Sequence, residues 1–311
     1  MTALALDHLV IAVRDLAAAA NNYTRLLGRT PSWRGSHPGY GTANVLYRID
    51  GGYLELLAPL AAATDGSGWA RGLRERLDSA GEGLYALALA TADIDATVAA
   101  LREKGLDARD PAPGAGVDET TGARREWRNA RIGSSTTRGV NVFFIQHDSA
   151  ASALPVSAPL AEDGSIVAAF DHTVLASSQL EASLRLWRDA FGLDLRATVE
   201  RPGGRTLHFL RMGASILELA GATPAPSEAK GAPDELGERD TLWGVAYRVD
   251  NLARTVERLR AAGVDVSDPR PGNAPGTQVA DLKRGFSHDV RTLYIQKDLP
   301  QKDSPQKEPP A

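Results

Sequence analysis

No cysteine occurs anywhere in the chain, which removes disulfides, thiolate nucleophiles and sulfur-ligated metals together. No charge of one sign dominates: 35 basic and 39 acidic residues are interspersed and leave a net charge of −4, so nothing resembles an electrostatic footprint for nucleic acid. No apolar run approaches the roughly 20 residues of a membrane span. The first strand begins almost at once, with no basic n-region or cleavage site ahead of it, and a cytoplasmic location is expected. There is no Gly-x-Ser-x-Gly elbow and no nucleotide fingerprint. The glycine-rich "RPGGR" at 201–205 lacks the helix start that a phosphate site needs and reads as a hairpin turn. What remains is ordinary globular composition, 43% hydrophobic and 24% charged over 311 residues, enough for two domains with their own cores. A small molecule is the expected partner. Either a monomer or a homodimer fits, because two complete domains need no second chain to finish their sheets.

What is present is a repeat. "DHLVIAV" at 7–13 returns as "DHTVLAS" at 171–177, and each is followed about 46 residues later by "LEL". In the first copy an alternating apolar run is buried on both faces as a strand. Asp15 is placed to cap a helix that stops at Gly28. Two further alternating runs, "TANVLYRI" and "GYLELLAP", flank Asp50-Gly51, a strong two-residue hairpin signal. The order is β-α-β-β-β. It recurs over residues 84–146, 170–221 and 243–296, with a capping box expected at Ser178 and Glu181 in the third copy. The expected fold class is therefore α+β, with four βαβββ units paired into two half-barrel domains. The boundaries follow composition. Residues 1–148 form the first domain, 149–165 a Ser/Ala/Pro-rich linker, 166–297 the second domain, and 298–311 a Pro/Lys-rich tail expected to be disordered. A short surface helix is expected near "GWARGLRERLDSAG", and a mobile loop over 222–240.

Parity about Asp50-Gly51 fixes which side chains share a face. Ile49 pairs with Gly52, Arg48 with Tyr53 and Leu46 with Glu55, so Asn44, Leu46, Arg48, Tyr53 and Glu55 look the same way. The same count about Gly213-Ala214 sets Phe209 against Glu218, with Arg211 on that face and His208 on the helix-packing side. An unpaired glutamate between apolar neighbours costs several kcal/mol on order-of-magnitude grounds. Glu55 and Glu218 must each meet either a metal shared with a histidine or an arginine of the next strand.

These residues resemble the vicinal oxygen chelate superfamily, which includes glyoxalase I, bleomycin-resistance proteins and extradiol dioxygenases. The resemblance rests on "DHLVIAVRDL", "GTANVLYRIDGGYLELLAP" and "DHTVLAS…SILELAG". "WRGSHPGYGTAN" at 33–44 is more narrowly similar to glyoxalase-like bacterial proteins. The resemblance implies a divalent metal (Mn, Zn, Fe or Ni) on His8 and Glu55, with His172 and Glu218 as the second-domain counterparts. The even units depart from the pattern: Ala86 and Gly244 stand where histidine is expected, and Phe143 and Leu293 where glutamate is expected. Gly244 and Leu293 leave the facial triad of an extradiol dioxygenase incomplete. Two ligands hold a metal poorly, which leaves three completions. His37 supplies a third ligand, or the odd units gather all four ligands into one site, or His8 and Glu55 work without metal as an acid–base pair.

The expected catalytic residues are thus His8, Glu55 and His37. Arg48, Asn44, Tyr40 and Tyr53 are expected to bind substrate, with Arg48 alternatively neutralising Glu55. Trp33, Trp127 and Arg128 are candidates for the pocket lining. Isomerase, lyase or hydrolytic chemistry on an oxygenated, anionic metabolite is the leading expectation. The alternative is a metal-free protein that sequesters a small hydrophobic compound.

Overall fold

A computed structural model describes residues 4–60, 68–221, 239–283 and 285–297. The expected loop over 222–240, except for its last two residues, and the expected tail at 298–311 lie outside the described residues. In the N-terminal half the order is β1 (Ala5–Ala12), α1 (Leu16–Leu27), β2 (Trp33–His37), β3 (Thr42–Ile49), β4 (Gly52–Pro59), α2 (Gly68–Ala80), β5 (Gly83–Ala90), α3 (Ile94–Glu103), β6 (Ala112–Asp118), β7 (Arg124–Arg131) and β8 (Val142–His147). The helix α2 is the surface helix expected from the sequence. The C-terminal half runs β9 (Val167–Ser177), α4 (Leu180–Leu184), β10 (Asp194–Arg201), β11 (Arg205–Met212), β12 (Ser215–Gly221), β13 (Asp240–Val249), α5 (Leu252–Ala261), β14 (Arg270–Pro271), β15 (Thr277–Asp281) and β16 (Arg291–Lys297). The four βαβββ units are all present.

Local signals account for most of the boundaries. Asp15 accepts from the Ala18 N–H at 2.9 Å, and Gly28 closes α1 in the left-handed conformation at φ 66°, where a side chain would be strained. The third unit differs from its expectation. Its helix begins after Gln179 with no side-chain cap, and Ser177, not Ser178, takes the Gln179 N–H at 3.0 Å. The helix then relaxes into a π-helical turn over Arg185–Ala190.

Consecutive units pair with each other. β1 runs antiparallel to β5, and β9 to β13, so the odd units do not gather His8, Glu55, His172 and Glu218 into one site. In the N-terminal half all eight strands close into a barrel in the order β1-β4-β3-β2-β6-β7-β8-β5. The C-terminal sheet has the order β10-β11-β12-β9-β13-β16-β15-β14 and stays open. Hairpin length explains the difference. β6 and β7 are 7 and 8 residues long, and β6 reaches across to pair with β2. β14 has only 2 residues and β15 has 5; β14 contains Pro271, which has no N–H to extend a ladder.

The helix-side faces of both sheets share one core. Tyr23, Leu26 and Leu27 of α1 are fully buried with Tyr247 and Tyr294 of the other half, each such side chain contributing about 1.5–3 kcal/mol. His208 lies on this side, hydrogen-bonded to Thr198 at 2.8 Å, as parity required. Residues 149–165 are pinned to the surface of the barrel. Arg29 donates to Val167 O at 2.6 Å and Ser157 O at 2.7 Å, and Ser32 meets Ser157 at 2.8 Å. Among the described residues no helix is long and apolar enough to cross a membrane.

Candidate active site

The barrel interior is where the expected residues meet. β1 and β4 are parallel neighbours, with His8 beside Tyr53 and Val10 beside Glu55, and β3 sets Leu46 opposite Glu55. Their inward side chains, with those of β2, β6, β7 and β8, line a cleft whose empty space is roughly 610 Å³ when the open solvent at its mouth is counted. His8, His37, Asn44 and Glu55 supply its polar groups. Trp33, Trp69, Trp127 and Phe143 supply much of its apolar wall.

A chain of buried charges runs through this wall. His8 Nδ1–H donates to Asp7 at 2.6 Å, and Asp7 in turn accepts from His147 Nε2 at 2.9 Å. His8 Nε2 faces Glu55 Oε2 at 3.4 Å. Burial alone would lower the His8 pKa, but the two carboxylates outweigh it and push it up to about 9. Burial would likewise raise Glu55, yet His8 and the Asn44 amide, 2.8 Å from Oε1, hold it below the usual carboxylate range. Asp7 is held lower still by its two histidines, against the cost of burial. His37 behaves oppositely. Burial, only partly offset by Glu55, depresses it. Its Nε2 accepts from Asn44 at 3.2 Å while Nδ1 meets Thr42 at 3.0 Å, so it is a neutral ring with its Nε2 lone pair turned toward Glu55, 3.9 Å away. Two histidines on one carboxylate are thus pushed apart in pKa, an arrangement that separates an acid from a base.

The donor set falls short of a resident metal centre. Among the described residues no three His, Asp or Glu side chains are placed to hold an ion together. At the unit-two positions Ala86 has no donor, and Phe143 packs edge-on against His8 with ring centroids 5.4 Å apart. Gly244 and Leu293 remove the corresponding donors from the second half.

The other expectations divide. Asn44, Tyr53 and Tyr40 line the cleft. Tyr53 stacks on His8 at 4.4 Å, and the Tyr40 hydroxyl accepts from Asn129 at 2.9 Å. Trp33 and Trp127 are also lining residues. Arg48 is a correction: it neither lines the cleft nor meets Glu55. Its guanidinium turns to the carbonyls of Ala151, at 2.7 Å, and of Leu154, because an arginine at the strand's end is long enough to leave the barrel. Arg128 is another correction. It points outward and forms a bidentate pair with Asp95 at 2.6 and 2.8 Å. Sequence reasoning missed Arg125, Asn129 and His147. The first two share the inward parity of Trp127 on β7, a signal that was legible once Trp127 was placed inside.

The C-terminal half holds a weaker copy. His172 meets Asp171 at 2.9 Å and Glu218 at 3.6 Å, and Lys297, 2.5 Å from Asp171, replaces His147. Register sets Phe209 opposite Glu218 and Leu207 two residues earlier, so leucine stands where Asn44 stands in the barrel. Burial, only partly offset by His172, raises the Glu218 pKa, the opposite of Glu55.

Comparison with known proteins agrees with this architecture. Residues 6–164, just over half of the chain, match the family described as "Glyoxalase-like domain". Residues 169–283 match the "Glyoxalase/Bleomycin resistance protein/Dioxygenase superfamily". No curated protein gives a significant match. Among solved structures, 4-hydroxymandelate synthase from Streptomyces coelicolor aligns with TM-score 0.67 and 14% identity over 96% of this chain and 94% of its own. A Mn(II)-bound glyoxalase from Novosphingobium aromaticivorans aligns with TM-score 0.60 and 15% identity over 94% and 81%. A hypothetical protein from Staphylococcus aureus aligns with TM-score 0.62 and 13% identity over 94% and 99%. Likenesses at such identities speak to fold alone. The chain belongs to the glyoxalase-like family of the vicinal oxygen chelate superfamily.

Proposed function

We propose that the N-terminal barrel is an enzyme site for metal-free proton transfer, of isomerase or lyase type, on a small oxygenated acid. The observation that carries this reading is the pair of buried histidines on Glu55, His8 Nε2 at 3.4 Å and His37 Nε2 at 3.9 Å, whose surroundings push the first pKa up and the second down. His37 Nε2 takes a proton from the carbon beside a substrate carbonyl. His8 Nε2–H stabilises the enolate oxygen that forms, or protonates it. Return of a proton to the opposite face of the same carbon inverts it and gives a stereoisomer; departure of a group on the next carbon gives an unsaturated product and the protonated leaving group. Asp7 and His147 keep the His8 ring oriented, as an aligned partner must. Asn44 Oδ1, buried without a hydrogen-bond partner, is free to accept a substrate hydroxyl once a ligand enters. Most of the expected site residues, His8, His37, Glu55, Asn44, Tyr40 and Tyr53, keep their roles in this reading.

The test is solvent-deuterium exchange at the carbon beside the carbonyl of 4-methyl-2-oxopentanoate and of phenylpyruvate, followed by proton NMR. Exchange above the buffer rate, lost in His37→Ala, is expected; exchange at the buffer rate with both acids overturns the proposal. Added Mn²⁺ or Zn²⁺ is expected to leave the rate unchanged, and a metal-dependent rise would restore the chelate reading. A second reading, sequestration of a small hydrophobic compound, is favoured by Phe143 in a ligand position and by the aromatic wall. It requires tight binding without exchange.

A further inference from the structure

The geometry points to Arg125 as the carboxylate anchor of the barrel cleft, and to substrates that join one carboxylate to an aromatic or branched apolar body. This inference rests on the reading of the barrel as the working site and adds what that site selects.

Arg125 lies on β7, inward, and lines the cleft at 7% exposure. Among the described residues it has no hydrogen bond and no ion pair; its contacts are the rings of Trp33 and Tyr53, each with its centroid 5.7 Å from the guanidinium carbon. Of the arginines around it, Arg48 is held by linker carbonyls, Arg124 by Glu126 at 2.8 Å and Arg128 by Asp95; Arg131, further along β7, lies over the Trp69 ring and does not line the cleft. A buried guanidinium carries five donors and a charge it cannot shed. Leaving those unpaired in an apolar wall is costly, and it is tolerable at a site that an anion enters. No other side chain lining the cleft is an arginine or lysine, whereas the negative charge of Glu55 is already answered by His8 and Asn44.

The chemistry of the anion follows from what surrounds this charge. One planar fork matches the two oxygens of a carboxylate. A phosphate would call for more donors or for a helix N-terminus, and no helix supplies a residue to the Arg125 end of the cleft. Position completes the argument. The Tyr53 ring touches both cations, stacked on His8 at 4.4 Å and with its centroid 5.7 Å from the Arg125 guanidinium carbon. A carboxylate gripped by Arg125 is therefore placed close to the imidazolium, and the carbons that follow it enter the space before His8, His37 and Glu55. Beyond them Phe143, Leu57 and Ile145 accept an apolar body.

Calorimetric titration of 3-phenylpropionate against its neutral amide, 3-phenylpropanamide, tests this without requiring turnover. Wild-type protein is expected to bind the acid about 30-fold more tightly than the amide, in the range of one charge-assisted pair. Arg125→Gln is expected to erase that preference by weakening the acid alone, and Arg125→Lys to recover part of it, with thermal melts confirming that both variants fold. Equal binding of acid and amide by the wild type, or an acid preference that survives Arg125→Gln, overturns the assignment, as does failure of the acid to bind. The two proposals separate cleanly. Loss of acid preference with absent deuterium exchange leaves the anchor standing and the proton-transfer reading fallen; exchange without acid preference does the reverse.

Discussion

In the N-terminal half, Asp7 holds His8, His8 meets Glu55, and Asn44 brings an amide to within 2.8 Å of the glutamate. In the C-terminal half, Asp171 holds His172 and His172 meets Glu218, but the position of Asn44 is Leu207 and the sheet stays open. The glutamates respond in opposite directions, Glu55 downward and Glu218 upward. The difference teaches that an imidazole at 3.4–3.6 Å does not by itself hold the pKa of a buried carboxylate below its ordinary value. It takes a second donor, and the donor is useful only where a closed barrel keeps water from competing. The repeat supplied both halves with the same three side chains; closure and one asparagine set the N-terminal copy apart.

The largest effect expected from this comparison is on turnover. His8→Gln and Glu55→Gln, which keep approximate shape, should each lower deuterium exchange by about 1,000-fold, the scale of removing a general acid or its partner. His172→Gln and Glu218→Gln should leave the rate within about two-fold, since neither touches the barrel. Comparable losses from both sets would mean that the halves work together and that the division drawn here is wrong.

Closure itself is the next target. Gly35 pairs with Asp118 across the β2–β6 seam, and a Cβ there would run into the Val117 carbonyl and the Trp33 indole. Gly35→Val should therefore cost about 3 kcal/mol or more in urea unfolding, as overpacking of a fixed backbone does. It should also abolish acid binding. The matching seam does not exist in the second half, where β10 and β14 are edges.

Asn44→Leu copies the second half into the first. Exchange should fall about 10-fold, one lost charge-assisted hydrogen bond on the transition-state scale, and the Glu55 pKa should rise toward that of Glu218. The pH profile reads the same change. The proposed proton transfer needs His37 neutral and His8 charged. The groups facing His8 are Asp7 and Glu55 with Tyr53 stacked on it, and those facing His37 are Glu55, His8 and Arg125. The wild-type rate should rise through the depressed His37 value, below the ordinary histidine range near about 6.5, and fall as pH passes about 9. Because the folded pKa of His8 is raised, its contribution to stability is complete below the ordinary histidine value and is lost as pH climbs through about 9. In Asn44→Leu the alkaline limb should stay near about 9, where Glu55 is ionised in either protein, and the acid limb should move up, because neutral His37 loses the amide that donates to its Nε2.

Much of this was legible from the residues. The Asp50-Gly51 turn allowed parity to be counted, and every pair from Ile49–Gly52 to Leu46–Glu55 follows it. The second hairpin follows the same rule from Met212–Ser215 to Phe209–Glu218. The two-ligand shortfall was visible in Ala86 and Phe143. Parity gives a face but not a destination, which is why Arg48 was misplaced: its side chain leaves the barrel for the segment 151–154. Arg125 stayed hidden for a different reason. On "RREWRNAR" polar residues occupy both faces of β7, so no apolar alternation distinguishes the cleft side from the solvent side. Closure was equally illegible, because it depends on whether two distant edge strands are long enough to meet.

The smallest effect concerns the two arginines that parity made alike. Arg48 and Arg211 each sit two residues beyond the position opposite the glutamate. Arg48 ties residues 151–154 to the barrel end, while Arg211 is exposed and reaches only the Gly213 carbonyl at 3.5 Å. Arg48→Ala removes two charge-assisted donors, but the carbonyls of Ala151 and Leu154 lie near the surface and water can replace them. The expected cost is accordingly about 1 kcal/mol in urea unfolding, against no measurable change for Arg211→Ala, with deuterium exchange and acid binding unaltered in both. A loss of acid binding in Arg48→Ala without a matching loss of stability would return to Arg48 the anion-binding role now given to Arg125. Loss of stability alone fits a side chain that holds the connecting segment in place and takes no part in the chemistry.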